Sequence, residues 1–189
     1  MRRIVVTEFV TLDGVMEDPG GSENTDRGGW ALQFERGPEG EKFKLDEIRD
    51  ADAMLLGRKT YEGFAQAWPT RTDEAGFADR MNSMPKYVVS STLETADWNN
   101  STVVSGDVVE EVAKLKQQPG GDILVAGSAQ LVHTLMEHNL VDEYRLMIFP
   151  VLLGRGKRLF EDGGDRTALQ IVETKQAREV VIVVLQRAA

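Results

Sequence analysis

The stretch that decides the fold is ILVAGSAQLVHTLMEHNLVDEYRLMIFPVLL, residues 123–153. Its first four residues are an apolar run that stops at Gly127, which is typical of a short buried strand. Leu131 and Leu135 then recur at helical spacing, and VDEYRLMIFPVLL is a long run of strand-forming residues. A strand, a helix and a second strand in this order indicate parallel strands joined by a helix.

The same alternation extends outward from this stretch. Further strands are predicted at residues 2–12, 51–57, 85–93 and 102–106, and further helices at 41–51, 58–66, 73–83 and 107–118. The chain ends in two strands, 169–177 and 178–187, that read as an antiparallel pair. We therefore predict a three-layer α/β/α fold with a mixed, mostly parallel central sheet and antiparallel C-terminal strands. Residues 1–189 are expected to form a single domain.

Two segments have more than one interpretation. Residues 16–40 are rich in glycine, proline and acids and predict a long loop with one short turn at 30–34. Trp30 and Phe34 in that turn could form a mobile cover over a site or anchor the loop to the core. The terminal strand EVVIVVLQ is apolar on both faces, so it is either central in the sheet or covered by a partner subunit.

The composition excludes several functional classes. The formal net charge is -9, which argues against nucleic acid or an anionic membrane as a partner. With no cysteine and only two histidines, thiolate chemistry is excluded and a metal site is not expected. Acidic residues cut the N-terminal apolar run too short for a signal peptide, and no apolar stretch approaches bilayer length. We expect a soluble cytoplasmic protein.

Three strand ends carry residues suited to binding phosphate. They are Gly57-Arg58-Lys59-Thr60, Ser90-Ser91-Thr92 and Gly127-Ser128-Ala129-Gln130. Ligands of open α/β sheets bind beyond the carboxyl ends of the strands, and free amides at a helix N-terminus attract anions. We predict that the third end holds the pyrophosphate of a dinucleotide, and that the first two hold a further phosphate such as the 2′-phosphate of NADP.

Each strand end also has a purely structural interpretation. A glycine after a strand can simply permit a tight turn, and Ser or Thr there can be ordinary helix caps. Arg58 and Lys59 could be solvated residues of a helix start. Neither a P-loop nor a standard Rossmann glycine fingerprint is present in the sequence.

Two motifs resemble a known superfamily. LLGRKTYEGF, residues 55–64, resembles the Gly-Arg-x-Thr-aromatic-Glu segment of the dihydrofolate reductase fold. Residues 123–160 resemble the reductase domain at the C-terminus of the bifunctional riboflavin-pathway deaminase-reductase, and VTLDGVMED is similar to the first strand of that domain. The resemblance spans nearly the whole chain in the expected order.

The resemblance implies a cofactor, an assembly and a set of site residues. NADPH would be the hydride donor, and a homodimer would be the common assembly. The implied cofactor residues are Gly57, Arg58, Lys59 and Thr60 on the adenosine side, Ser90 and Ser91 near the 2′-phosphate, and Gly127, Ser128, Ala129, Gln130 and Leu131 around the pyrophosphate.

The sequence departs from the riboflavin enzymes at their substrate residues. Their first-strand lysine is replaced by Thr7, and the glutamate before their Gly-rich turn is replaced by Val125 and Ala126. Their Asp-Pro-x-Leu-Thr segment is also missing. These departures put the phosphoribosyl pyrimidine substrate in doubt more than NADPH, so the chain looks closer to stand-alone reductase-domain proteins.

Two carboxylates are candidate proton donors. Glu41 shares a helical spacing with Leu45 and Ile48, so its side chain is expected to face inward, where burial would raise its pKa. It could equally be an exposed first-turn glutamate. Asp13 follows the first strand, and it could be a catalytic acid or, as the better interpretation, a turn residue before Gly14.

Two main hypotheses follow for the function. The first is an NADPH-dependent reductase of a small heterocycle, with a pyrimidine-like or pterin-like ring. The second is a binding or oligomeric module that keeps the fold and holds a nucleotide without turnover.

Overall fold

A computed structural model describes residues 1–188 and contains one sheet of eight strands. The strands are β1 (Ile4–Thr11), β2 (Ala53–Gly57), β3 (Lys86–Val89), β4 (Ser101–Val104), β5 (Ile123–Ala126), β6 (Glu143–Phe149), β7 (Leu169–Ala177) and β8 (Val180–Arg187). Their order across the sheet is β4-β3-β2-β5-β1-β6-β8-β7. The first six strands pair in parallel, and β8 pairs antiparallel with both β6 and β7. The predicted sheet is confirmed.

Five α-helices cover the two faces of this sheet. They are α1 (Gly37–Asp50), α2 (Arg58–Ala67), α3 (Phe77–Ser83), α4 (Val108–Gln117) and α5 (Ala129–Glu137). Val112 and Leu135 of α4 and α5 pack in one apolar cluster, while Ile48, Tyr61 and Met81 of the other helices pack in a second. The three-layer α/β/α prediction is therefore confirmed. Within residues 1–188, none of the helices has the length and apolar character needed to cross a membrane.

The aromatic residues of the long loop are fixed to the core. Trp30 begins a short 3-10 helix (Trp30–Gln33) and is buried. Its indole donates to the carbonyl of Glu17 at 2.8 Å, and its ring lies 5.3 Å from that of Phe149 in β6. Phe34 lies 6.1 Å from the same ring. Of the two interpretations of these residues, the structure supports an anchor.

The apolar terminal strand is central rather than at an edge. β8 lies between β6 and β7, so both its neighbours satisfy its backbone hydrogen bonds. The alternative of a partner subunit is not needed to explain its composition. On this side of the sheet the edge strand is β7, most of whose residues are exposed.

Two helix boundaries differ from the sequence prediction. α1 begins at Gly37 rather than at residue 41, with Pro38 in its first turn, where the fixed φ of proline suits a helix. α4 begins at Val108 rather than at residue 107, and Asp107 caps it, since its side chain accepts from the Glu110 amide.

An ionic network around the buried Glu143 stabilises the end of the sheet where the central strands β1 and β6 begin. Glu143 accepts from Arg3 at 2.9 Å, from Arg145 at 2.6 Å and from Gln186 at 2.9 Å. Asp122 pairs with both arginines. Burial opposes ionisation of Glu143, but these hydrogen bonds and the two cations lower its pKa below its ordinary value.

Replacing Glu143 with Gln is expected to change the acid sensitivity of the fold. A carboxylate whose folded pKa is lowered stabilises the protein above its unfolded pKa, about 4.3, and this contribution is lost as the pH falls through the folded value. The variant should lose about 1–2 kcal/mol at neutral pH, because the partly exposed Arg3 and the mostly buried Arg145 lose a charged partner. As the pH falls, it should lose less further stability than the wild type does. Urea unfolding at several pH values measures this.

The exposed Glu41 provides a control, since its Gln variant should unfold like the wild type at neutral pH. Equal acid sensitivity of the wild type and the Glu143 variant would contradict the proposed role of the network.

Candidate functional site

The three predicted phosphate-binding strand ends lie side by side. β3, β2 and β5 are consecutive in the sheet, and all three run in the same direction. The residues that follow them therefore meet at one edge, with Ser90 after β3, Gly57 at the end of β2 and Gly127 after β5. Beyond β5 the next strand is β1, whose middle, at Thr7, lies beside the end of β5 at Ala126.

Two of these strand ends are locked together by side-chain hydrogen bonds. The amide of Gly57 donates to Ser128 Oγ at 2.9 Å, and the amide of Ser128 donates to Thr60 Oγ1 at 2.9 Å. Gly127 and Ser128 both have positive φ, 59° and 58°. A Cβ on Gly127 would lie 3.0 Å from Thr60 Oγ1, so the turn requires glycine at this close approach.

The helices that follow these two strand ends, α2 and α5, begin with backbone amides that remain available to a ligand. Among the described residues, no side chain caps the N-terminus of α2 or of α5. By contrast, Asp107 caps α4, and Asp73 accepts from the amides of Phe77 and Ala78 at the start of α3. We call residues 57–60 and 127–131 the paired helix starts. Their amides and helix dipoles create a local positive potential in an acidic protein.

The side chains at the paired helix starts differ in availability. Arg58 and Lys59 are exposed, and Arg58 Nε lies 3.9 Å from Glu62 of the same helix, a weak surface pair. Gln130 is exposed, whereas Leu131 is buried in the core. At the third strand end, Ser90 Oγ accepts from the amides of Thr92 and Leu93, and Ser91 is exposed.

A buried polar cluster lies beside the middle of β1, and the sequence interpretation missed it. Thr7 Oγ1 donates to Glu47 Oε1 at 2.6 Å and accepts from Lys44 Nζ at 2.8 Å, and Lys44 also pairs with Glu47. Glu8 is the next residue of β1 and is buried as well. Within the described chain, Glu8 Oε1 and Glu47 Oε2 have no hydrogen-bond partner.

Burial raises the pKa of Glu8 well above its ordinary value, and the nearby Glu47 adds to the shift. The Lys44 ammonium and the amide of Gly127 act in the opposite direction without cancelling it. The sequence signal for this carboxyl was a charged residue within an apolar strand. From the sequence, Glu8 is interpreted only as an interruption of the N-terminal apolar run. Such a buried, perturbed carboxyl beside a turn is typical of functional sites.

Comparison with known proteins assigns this arrangement to a family. The model of the RibD C-terminal domain matches residues 2–183. The chain belongs to the RibD C-terminal domain family. It is 36% identical over 177 residues to the uncharacterized protein YyaP of Bacillus subtilis, covering 92% of this chain and 88% of that one. It is 29% identical over 180 residues to YwjB of the same organism, covering 95% of each chain.

Solved structures share the fold of this RibD C-terminal domain. A Shewanella sp. PV-4 protein named for riboflavin biosynthesis matches with a TM-score of 0.67 and 19% identity over 99% of both chains. Dihydrofolate reductase from Enterococcus faecalis, solved with NADP(H) and RAB-propyl, matches with a TM-score of 0.59 and 14% identity. That match covers 99% of this chain and 97% of the reductase. The resemblance to the dihydrofolate reductase-like superfamily is thereby confirmed at the level of fold.

The inward orientation predicted for Glu41 is wrong. Its side chain is 63% exposed and pairs with Arg36 at 2.7 Å. The helix begins at Gly37, and the face that packs inward carries Gly40, Glu47 and Ile48. Glu41 lies outside this face, so its side chain is not buried as expected.

Asp13 is part of a turn in this RibD C-terminal domain. The Thr11 hydroxyl donates to its Oδ1 at 2.6 Å, and the amides of Leu153 and Gly154 donate at 3.2 and 2.7 Å. The hydroxyl and these amides lower the pKa of Asp13. A carboxylate held in its charged form is a poor proton donor, so the geometry favours the turn interpretation.

Proposed function

We propose that the protein is an NADPH-dependent reductase of a small heterocyclic substrate, with a pyrimidine-like or pterin-like ring. The paired helix starts carry this proposal. Two helices whose first amides lack side-chain caps in the described chain begin side by side, in a fold whose relatives include a reductase solved with NADP(H). The family alone supports a reductase-type fold, and the amides of the paired helix starts support an anionic ligand at this place.

The residues of the paired helix starts fit the cofactor's charged groups. We assign the amides of Ala129, Gln130 and Leu131 to the diphosphate, while Gly127 and Ser128 shape the turn, because the Ser128 amide and hydroxyl are already bonded to Thr60 and Gly57. When bound, the cofactor supplies the hydride, and the protein's part is to position the ring and exclude water.

The 2′-phosphate is assigned to the neighbouring strand ends. Arg58 offers a planar fork and Lys59 a point charge, both exposed at the start of α2. Ser91 lies on the next strand end and is exposed as well. The hydroxyl of Ser90 already accepts from two amides, so we assign it a supporting role in holding this turn.

The polar cluster at β1, formed by Thr7, Lys44 and Glu47, supports a substrate ring that carries both N–H and C=O groups. Lys44 is a donor, and Glu47 Oε2 is a buried acceptor oxygen that has no partner within residues 1–188. A lactam edge of a pyrimidine or pterin would complement this pair. We also propose a homodimer, which the family resemblance implies, and a cytoplasmic location, which the sequence predicts.

A second candidate is a nucleotide-binding module without turnover. It is favoured by the state of the two predicted acids, because Glu41 is exposed and Asp13 has a lowered pKa. The two candidates differ in one measurement. Titration with NADPH, followed by tryptophan fluorescence, should show binding in both cases, and only the reductase should consume NADPH in a screen of ring substrates.

Replacing Arg58 with Ala should reduce the preference for NADPH over NADH. A charge-assisted hydrogen bond contributes about 1.5–3 kcal/mol, so we expect NADPH to bind roughly 10-fold to 100-fold more weakly while NADH binding changes little. Fluorescence titration with both cofactors measures this. Lys42→Ala is a matched control, since it also removes an exposed helical cation with an acid four residues away. Equal affinity of the wild type for both cofactors would remove the 2′-phosphate assignment.

A further inference from the structure

Glu8 connects the polar cluster of β1 to the proposed diphosphate turn. Its residue is only 6% exposed, although a carboxyl without a full set of partners is unfavourable inside a protein. Thr7 pairs with Ala126 in the register of β1 and β5, so Glu8 comes next to Gly127 where the two strands run side by side. Its Oε1 atom has no partner anywhere in residues 1–188. The carboxyl therefore lies directly beside the residue that begins the paired helix start of α5.

The charged groups around Glu8 do not neutralise it. Lys44 and Glu47 of α1 act on it with opposite signs, and Lys44 is already engaged by Thr7 and Glu47. β6 places Leu146 opposite Glu8 in the register of the sheet. On α5, His133 accepts or donates at the carbonyls of Arg158 and Leu159, away from this turn.

A negative Glu8 and an anionic ligand would compete at the same turn. Both are attracted by the amides that begin at Gly127, and two like charges close together in a poorly solvated place repel strongly. A protonated Glu8 removes the repulsion. Its Oε1 then also gains a hydrogen that can be donated.

We propose that Glu8 is a proton-linked part of the cofactor site, so that the anionic diphosphate binds at Gly127–Leu131 together with a proton on Glu8. This inference rests on the proposed function, because it needs the diphosphate at that turn. The burial that raises the pKa of Glu8 acts in the same direction, because it favours the neutral form of the carboxyl.

The test measures NADPH affinity between about pH 7 and about pH 9, above the range where the 2′-phosphate itself titrates near pH 6. Affinity in the wild type should fall with rising pH, approaching tenfold per pH unit once Glu8 is ionised in the free protein. The Glu8→Gln variant should bind NADPH with little pH dependence over this range. Glu41→Gln, which changes an exposed glutamate, should keep the slope of the wild type.

A second measurement on the wild type alone keeps the inference testable if the variant folds poorly. Calorimetry of NADPH binding in two buffers with different ionisation enthalpies counts the protons taken up, and we expect uptake of up to one proton in the alkaline part of the range. Binding without proton uptake, or the same slope in Glu8→Gln, would overturn the role of Glu8 and leave the proposed function intact. If NADPH bound at none of the pH values tested, the proposed function itself would be overturned, and this inference with it.

Discussion

The Lys86→Met variant is expected to be about 3 kcal/mol less stable than the wild type, the largest loss among the substitutions considered. Lys86 begins β3, and its side chain is 0% exposed. Its ammonium donates to the carbonyls of Asn82, Met84 and Asn99 at 3.2, 2.8 and 2.8 Å. It also lies 4.1 Å from the centre of the Trp98 ring. One side chain therefore joins the end of α3 to the loop before β4.

The size of this stability loss follows from the carbonyl groups that lose the Lys86 ammonium as a hydrogen-bond partner. Methionine is similar in length but cannot donate, so the buried carbonyl of Met84 and the part-buried carbonyls of Asn82 and Asn99 lose a partner, at about 1–3 kcal/mol for a buried group. Part of this loss is offset, because the variant no longer buries a charge, a cost shown by the lowering of the Lys86 pKa to about 8 by burial. The net result should be a clear destabilisation.

Urea unfolding followed by circular dichroism measures this loss. Lys114→Met is the matched control, because Lys114 is an exposed cation that pairs with Glu111 on its own helix. Its variant should stay within about 0.5 kcal/mol of the wild type. A Lys86→Met protein as stable as this control would show that the three carbonyls do not depend on the ammonium.

Gly127→Ala is expected to weaken both the fold and NADPH binding. The positive φ of 59° costs a residue with a side chain about 1–2 kcal/mol. The new Cβ would also lie 3.0 Å from Oγ1 and 3.1 Å from Cγ2 of Thr60. Thr60 would have to move, and it is the acceptor that holds the amide of Ser128. We expect a stability loss of about 2 kcal/mol and at least a tenfold weaker affinity for NADPH.

Gly63→Ala separates the effect of this site from that of a general glycine replacement. Gly63 lies inside α2, where a new Cβ would meet no atom within 4 Å in the described chain. Alanine there should raise stability by up to about 1 kcal/mol and leave NADPH affinity unchanged. If Gly127→Ala behaved in the same way, the close approach of the paired helix starts would have no functional role.

Much of the fold could be predicted because its signals are local. The apolar runs of β2 and β5 each end at a glycine, and the helices that follow carry regular apolar spacing. These features predict parallel strands whose ends point the same way. The adjacency of the phosphate-suited ends then depends on strand order, which the resemblance to the superfamily supplied.

The polar part of the site could not be predicted because it does not follow hydrophobic periodicity. The inward face of α1 includes Lys44 and Glu47, so apolar spacing placed Glu41 on that face instead. Glu8 meets Gly127 only because β1 and β5 are neighbours in the sheet, although 118 residues lie between them in the chain. Ser128 was predicted to contact phosphate, and its hydroxyl and amide are engaged with Gly57 and Thr60.

The most direct test of the central claim is the amide spectrum of ¹⁵N-labelled protein during titration with NADPH. The claim is that the paired helix starts hold the anionic groups of one cofactor. We expect the amide signals of residues 58–60 and 129–131 to shift together and to saturate at the same NADPH concentration. Signals near Glu143, at the opposite edge of the sheet, should stay in place. Binding of NADPH that leaves both helix starts unshifted, or shifts only one of them, would contradict the account.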